Sequence, residues 1–166
     1  PSDANGYVTF GSCNAIQKIN DRVLGLWSRI LQAVPNSRLI LKAFNLREES
    51  LRNDVTQRLI NHGLPMDRFD VLGPIPDQRG HLEIYNTIDI ALDPFPYNGT
   101  TTTCDALWMG IPVIALAGNM HASRVGVSLM YAVGEPNWIA RDEDHFIAIA
   151  AQLANDHQAR AHARAT

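Results

Sequence analysis

Residues 93–116 read DPFPYNGTTTTCDALWMGIPVIAL and place an Asn-Gly turn and four threonines, Thr100, Thr101, Thr102 and Thr103, between an apolar strand and a helix. The strand is expected over 88–92 and the helix over 102–109. The first N–H groups of a helix have no intrahelical partners, and that end carries a partial positive charge. Threonine hydroxyls add donors at the same place. Gly99 and Gly110 let the backbone turn tightly and approach a ligand closely. The pattern predicts an anion cradle, most simply for phosphate. Asp105, one turn into the helix, could accept hydrogen bonds from a hydroxyl-bearing ligand such as ribose. A helix cap needs only one threonine, so a run of four behind Asn-Gly favours the phosphate reading over capping alone.

A cradle works only if other elements hold it, and the chain alternates short apolar runs with helical patterns throughout. Strands are expected at 7–10, 37–41, 68–72, 88–92 and 112–116. Helices are expected at 20–34, 48–62, 78–86, 102–109, 122–132 and from about 142 to 154. Val23, Leu24, Trp27, Ile30 and Leu31 share one helical face, and Gly63 suits the residue just past a helix end. Trp27, Leu107 and Trp108 are expected in the core. Strands separated by helices predict an α/β fold, a Rossmann-like doubly wound parallel sheet with right-handed crossovers. Ligands of such sheets collect at the carboxyl ends of the strands. Three informative loops fall there: 11–18, 73–81 and 93–105. Residues 1–156 are expected to form one domain, and the Ala-rich basic tail 157–166, short of apolar anchors, is expected to fray.

Composition excludes several classes. Apolar residues at 46% and charged residues at 19% fit a soluble globular domain. A net charge of −3 without a Lys/Arg cluster argues against a nucleic-acid surface. No apolar run reaches the roughly 18 residues of a membrane span. Cys13 and Cys104 stand in different motifs and suggest neither a disulfide framework nor a metal site, so a reducing cytoplasm is the simplest compartment. The histidines lack zinc-type spacing. Asp142-Glu143-Asp144 contains an Asp-x-Asp pattern, but it precedes the apolar run of residues 146–153 and reads as a helix N-terminus. There is no Gly-x-Gly-x-x-Gly and no Gly-Lys-Ser/Thr loop, which weighs against a nicotinamide dehydrogenase or an ordinary NTPase.

Three segments, FGSCNAIQKI (10–19), PFPYNGTTTTCDALWMGIPV (94–113) and HASRVGVSLM (121–130), closely resemble the catalytic region of O-linked N-acetylglucosamine transferases and SPINDLY-type proteins. The pattern resembles that of the bacterial members, which carry N-terminal tetratricopeptide repeats. The resemblance covers nearly the whole chain in order. It implies the C-terminal, nucleotide-sugar-binding half of a GT-B glycosyltransferase, with the repeats and the N-terminal catalytic half absent. It further implies transfer of a sugar, N-acetylglucosamine first of all, from a UDP donor to protein Ser/Thr hydroxyls, with inversion and without metal or other cofactor. Lys18 matches the lysine that neutralises the donor diphosphate. Thr101 and Thr102 match the threonines that hold the distal phosphate, and Asp105 the acidic residue on the ribose. His81 matches a histidine that packs on the uracil, and the Ile75-Pro76 backbone the contacts to the base edge. Gly99 and Thr100 complete the donor loop. Two positions depart from the animal enzymes, Thr100 for a histidine and Ala15 for a glutamine, and both bear on the sugar. Acceptor proteins would be selected by the absent part.

Two other classes stay open at this point. A nucleotide-binding or interaction module that has lost catalysis would keep the fold, although it would not need Lys18, Thr101, Thr102 and Asp105 together. A flavodoxin-like receiver would need an acidic cluster at the first strand end, where Gly11-Ser12-Cys13-Asn14 offers none.

Overall fold

Asn20 ends the loop that follows the first strand and starts the first long helix, its side chain accepting a hydrogen bond from the Val23 N–H at 3.1 Å. That is an ordinary N-cap, and the stripe behind it decides where the helix goes: Val23, Leu24, Trp27, Ile30 and Leu31 are all fully buried. In the computed structural model, which describes residues 1–165 and the backbone alone at Gln78, the same logic repeats along the chain. The elements are α1 (Ser2–Asn5), β1 (Val8–Ser12), α2 (Asp21–Ala33), β2 (Ser37–Lys42), α3 (Glu49–Asn61), β3 (Phe69–Leu72) and α4 (Gln78–Glu83). They continue with β4 (Ile90–Leu92), α5 (Thr101–Trp108), β5 (Val113–Leu116), α6 (Val125–Ala132), β6 (Ile139–Ala140), α7 (Glu143–Asn155) and α8 (His157–Ala165).

The six strands form one sheet in the order β3-β2-β1-β4-β5-β6, and every pairing is parallel. This is the doubly wound arrangement expected from the alternation of strands and helices. Side chains alternate between its faces. Phe10, Leu39, Leu41, Ile90, Leu92 and Ile114 pack under α2, α3 and α7. Ala91 and Val113 pack on the other side with Tyr85, Ala106 of α5 and Met130 of α6. The strand order reverses between β1 and β4, whose register pairs Phe10 with Ile90 and Gly11 with Ala91. Sheets of this kind gather ligands at such a reversal, at the carboxyl ends of the strands, and the threonine-rich segment follows β4 there.

Several expectations need correction. The first strand runs on through Ser12, so Gly11 and Ser12 are ladder residues, not loop. The fourth begins at Ile90, not 88, because the Asp89 carboxylate takes the Thr9 N–H at 2.9 Å. The helix expected over 122–132 is a 3₁₀ turn, His121–Ser123, followed by α6. β6 was not expected at all; at two residues it has no periodicity to read.

Trp108 is not in the core but 85% exposed, whereas Leu107, half-buried, packs against the cluster around Tyr85 and Met130. Thr103 and Ala106 are the buried residues of α5, and Trp108, two residues beyond Ala106, points to the other side of the helix. The tail expected to fray is helical through Ala165, while Thr166 lies outside the described residues. Arg160 holds it, donating to the carbonyls of Leu153 and Ala154 at 2.5 and 2.7 Å and to the Ser2 hydroxyl at 3.2 Å. The Arg164 guanidinium reaches the Ile88 carbonyl. The Asp142 reading holds: its side chain caps α7 at the His145 N–H (2.7 Å), and Glu143 and Asp144 pair with Arg22 and Arg29 of α2.

Candidate nucleotide cradle

The segment between β4 and α5 is built around Asp93, which is 1% exposed. One of its oxygens accepts the Gly99 N–H at 2.7 Å and the Thr103 hydroxyl at 3.2 Å. The other has no hydrogen-bond partner among the described residues. Asn98, also fully buried, ties the loop down: its amide donates to the Pro94 carbonyl at 3.0 Å and its oxygen accepts the Gly126 N–H of α6 at 3.2 Å. The Phe95–Pro96 bond within the loop is cis. Gly99 is required by space rather than by backbone angle. A Cβ there would lie 2.5 Å from the Thr103 hydroxyl and 2.8 Å from both Thr102 Oγ1 and Asn14 Oδ1.

These contacts sort the threonines. Thr103 is buried and spent on Asp93, so it is no ligand donor. Thr102 is half-buried and donates to Asn14 Oδ1 at 2.8 Å, linking α5 to the end of β1. Thr100 and Thr101 are exposed, and Thr100 makes no side-chain capping bond although it sits at the N-cap of α5. The exposed hydroxyls are therefore not used up as caps. They stand at the helix start, whose first amides have no intrahelical partners.

Lys18 ends a 3₁₀ turn, Ile16–Lys18, after β1 and crosses to the same loop. Its ammonium donates to the Asn98 carbonyl at 2.8 Å and lies 4.1 Å from the centre of the Tyr97 ring. An ammonium has three donors, so its remaining donors are open to an anion at the cradle. On the other side of α5, Asp105 Oδ2 lies 3.6 Å from His81 Nε2 of α4. His81 meets the Tyr85 ring edge-on at 5.7 Å, and the Tyr85 hydroxyl donates to the Thr102 carbonyl at 3.3 Å. Ile75 lies half-buried in the loop between β3 and α4 and packs against Gly80. Lys18, Gly99, Thr100, Thr101, Thr102, Asp105, His81 and Ile75 thus all stand on the rim formed by the strand ends. A cleft of about 340 Å³ adjoins Thr100, lined by His121, Arg124, Val125, Ser128 and Leu129.

Sequence reasoning missed the residues beneath this rim. Asn14, Asp93 and Asn98 are buried polar groups that hold the loop by bonds across the chain. Asp93 alone follows an apolar run directly, Asn98 shows only as the first residue of the Asn-Gly turn, and Asn14 gives no local signal. Among the described residues there is no grouping of three or more His, Cys, Asp or Glu side chains suited to a metal ion, and no helix is long and apolar enough to cross a membrane.

Desolvation pushes the Asp93 carboxyl up to about 7, against the smaller opposing effects of the Gly99 and Thr103 bonds and the Lys18 charge. A folded-state value above the ordinary 3.8 means that the folded protein binds more protons in between, so stability falls as pH rises from about 4 to 7 and then levels off. Asp93→Asn keeps the acceptor for Gly99 and removes the charge. Urea midpoints are expected to favour the variant relative to the unchanged chain more at pH 8 than at pH 4.5. Equal differences at both values would show that Asp93 does not titrate in this range.

The model for glycosyl transferase family 41 matches residues 1–166. Similar curated proteins include the probable UDP-N-acetylglucosamine–peptide N-acetylglucosaminyltransferase SPINDLY of Solanum lycopersicum, 47% identical over 156 residues, covering 94% of this chain and 17% of that protein. The UDP-N-acetylglucosamine–peptide N-acetylglucosaminyltransferase of Caenorhabditis elegans is 33% identical over 166 residues, covering 99% of this chain and 14% of that protein. The chain therefore spans less than a fifth of the length of these relatives. Among solved structures, the K341M mutant of Thermobaculum terrenum O-GlcNAc transferase superposes with a TM-score of 0.91 at 37% identity, covering 96% of this chain and 31% of that one. Anabaena Alr3699/HepE, solved in complex with UDP and glucose, shares the fold at a TM-score of 0.66 and 14% identity, covering 99% of this chain and 45% of that one.

Proposed function

Since the chain belongs to glycosyl transferase family 41, we propose that it is the donor-binding half of an enzyme that moves N-acetylglucosamine from UDP to Ser/Thr hydroxyls of proteins. The observation that carries this reading is the convergence of an ammonium, a glycine-lined loop and uncapped threonine hydroxyls on one helix N-terminus at the topological switch point. The relatives, which are UDP-N-acetylglucosamine–peptide N-acetylglucosaminyltransferases, support this choice of sugar and a peptide acceptor.

In this reading the amides of Thr101 and Thr102 and the free hydroxyl of Thr101 hold the distal phosphate, while the Thr102 hydroxyl stays on Asn14 and fixes the helix start, with Gly99 and Thr100 shaping the loop around it. Asp105 accepts from the ribose hydroxyls, His81 packs on the uracil, and the backbone at Ile75 meets the base edge. Lys18 carries the chemical step. As the bond from the sugar to the diphosphate breaks, negative charge grows on the leaving oxygens, and a preorganised ammonium stabilises that charge more in the transition state than in the ground state. The reaction then inverts the anomeric centre and needs no metal. The acceptor and any general base belong to parts of the longer protein that this chain does not span, so the chain alone binds donor without transferring sugar. Its free cysteines, one buried and one exposed, suit a reducing cytoplasm.

The test is a transfer assay on the longer protein with UDP-N-acetylglucosamine and a Ser/Thr peptide, with and without a chelator. Transfer that persists with chelator, and that the 166-residue chain alone does not support, is the expected result. Absence of donor cleavage by the longer protein would favour a non-catalytic nucleotide-binding module, and use of GDP-fucose would replace the donor.

A further inference from the structure

Lys42 closes β2 at 8% exposure, in a position that an apolar strand end would ordinarily fill. Its ammonium contacts His81 Nδ1, and the opposite ring nitrogen faces Asp105 Oδ2 at 3.6 Å. The imidazole is braced from the side by the Tyr85 ring, and the Tyr85 hydroxyl is bonded to the Thr102 carbonyl at 3.3 Å. Side chains from β2, α4 and α5 therefore form one chain of contacts that ends at the cradle. A lysine ammonium only donates, so His81 Nδ1 accepts and the ring hydrogen sits on Nε2, aimed at Asp105. The neighbouring Cys13 thiol, pushed up to about 11 by burial, and the Tyr85 hydroxyl, also raised by burial, stay uncharged beside it. Asp105 is then the negative charge that offsets the buried ammonium, whose own value burial lowers.

We propose that Lys42 is a positioning residue of the donor site, which fixes the tautomer and plane of His81, and through His81 the carboxylate of Asp105, before a nucleotide arrives. The proposal rests on the donor-site reading above and adds to it the residue that preorganises the base and ribose contacts. Outer partners that orient a ligating imidazole act in this way in metal sites, and preorganisation lowers the ordering cost of binding.

The direct test is the long-range ¹H–¹⁵N spectrum of histidine-labelled chain without nucleotide, together with UDP titration of the same samples. The unchanged chain is expected to show an unprotonated Nδ1 and a protonated Nε2 at His81. Lys42→Met should mix the two tautomers and weaken UDP binding about tenfold, the size of one lost charge-assisted bond. Lys42→Arg, which also only donates, should keep the wild-type ring pattern and most of the affinity. Melting curves establish that each variant is folded. A His81 pattern unchanged in Lys42→Met, or scrambled in a folded Lys42→Arg, would overturn the proposal, as would UDP affinity that ignores Lys42→Met. Absence of UDP binding to the unchanged chain would instead overturn the donor-site reading, and the ring pattern would still decide whether Lys42 sets His81.

Discussion

Lys18→Ala in the longer enzyme is expected to lower kcat by about 10²–10³-fold, the range found when one preorganised donor to a developing charge is removed. The geometry explains why the loss should be large. The ammonium is held over the Tyr97 ring at 4.1 Å and bonded to the Asn98 carbonyl at 2.8 Å, so little reorganisation is needed when the leaving group takes up charge. In the proposed role its contact would strengthen as the bond breaks, so kcat and kcat/KM should fall together while UDP binding changes less. Lys18→Arg should recover only part of the rate, because a guanidinium on its longer stem presents a planar fork of donors in place of the compact point charge held at the Asn98 carbonyl. Steady-state kinetics with saturating peptide would decide it. An unchanged kcat in Lys18→Ala would remove Lys18 from the departure of the diphosphate.

Gly99→Ala should be the most damaging small change in the cradle. The added methyl would stand 2.5 Å from the Thr103 hydroxyl and 2.8 Å from Thr102 Oγ1 and Asn14 Oδ1. All three atoms are engaged: Thr103 with Asp93, and Thr102 with Asn14. None can yield without breaking a bond that shapes the loop. Overpacking of a tight site costs about 1–3 kcal/mol, here at the very point where the helix start should meet phosphate. UDP affinity is expected to fall by about thirtyfold or more, on the scale where 1.4 kcal/mol is tenfold, with a measurable drop in melting temperature. Gly134→Ala is a useful control for strain elsewhere, since its φ of +80° disfavours a side chain but nothing lies within 4 Å. It should lower stability and leave UDP binding intact. Wild-type affinity in Gly99→Ala would mean that the loop does not touch the nucleotide.

What could be read from the sequence followed from local rules. The apolar stripe of α2 and its Asn20 cap, the Asp142 cap of α7, and the strand cores around Leu39, Ile90 and Ile114 are each specified by neighbours within a few residues. The threonine run marks the loop-to-helix junction that opens α5 for the same reason. The features that escaped depend on partners far along the chain. α8 offers the core little more than Ala159 and is held by Arg160 bonding to Ser2, 158 residues away. Asn14 acquires its place through Thr102, 88 residues on, and Lys42 through His81, 39 residues on. Thr103 looks like its three neighbours until Asp93 turns it inward. Trp108 reads as core by its type, yet its position at the end of an eight-residue helix turns it to solvent.

The most direct measurement is a calorimetric titration of the chain with UDP, set beside GDP and ADP under the same conditions. It should be repeated on the Thr101→Val, Thr102→Val double variant, which keeps the branched shape and removes both hydroxyls. Saturable, UDP-selective binding that is lost in the double variant is the predicted result. Binding that survives loss of both hydroxyls, or no binding of any nucleotide to the unchanged chain, would contradict a preformed donor cradle at the start of α5.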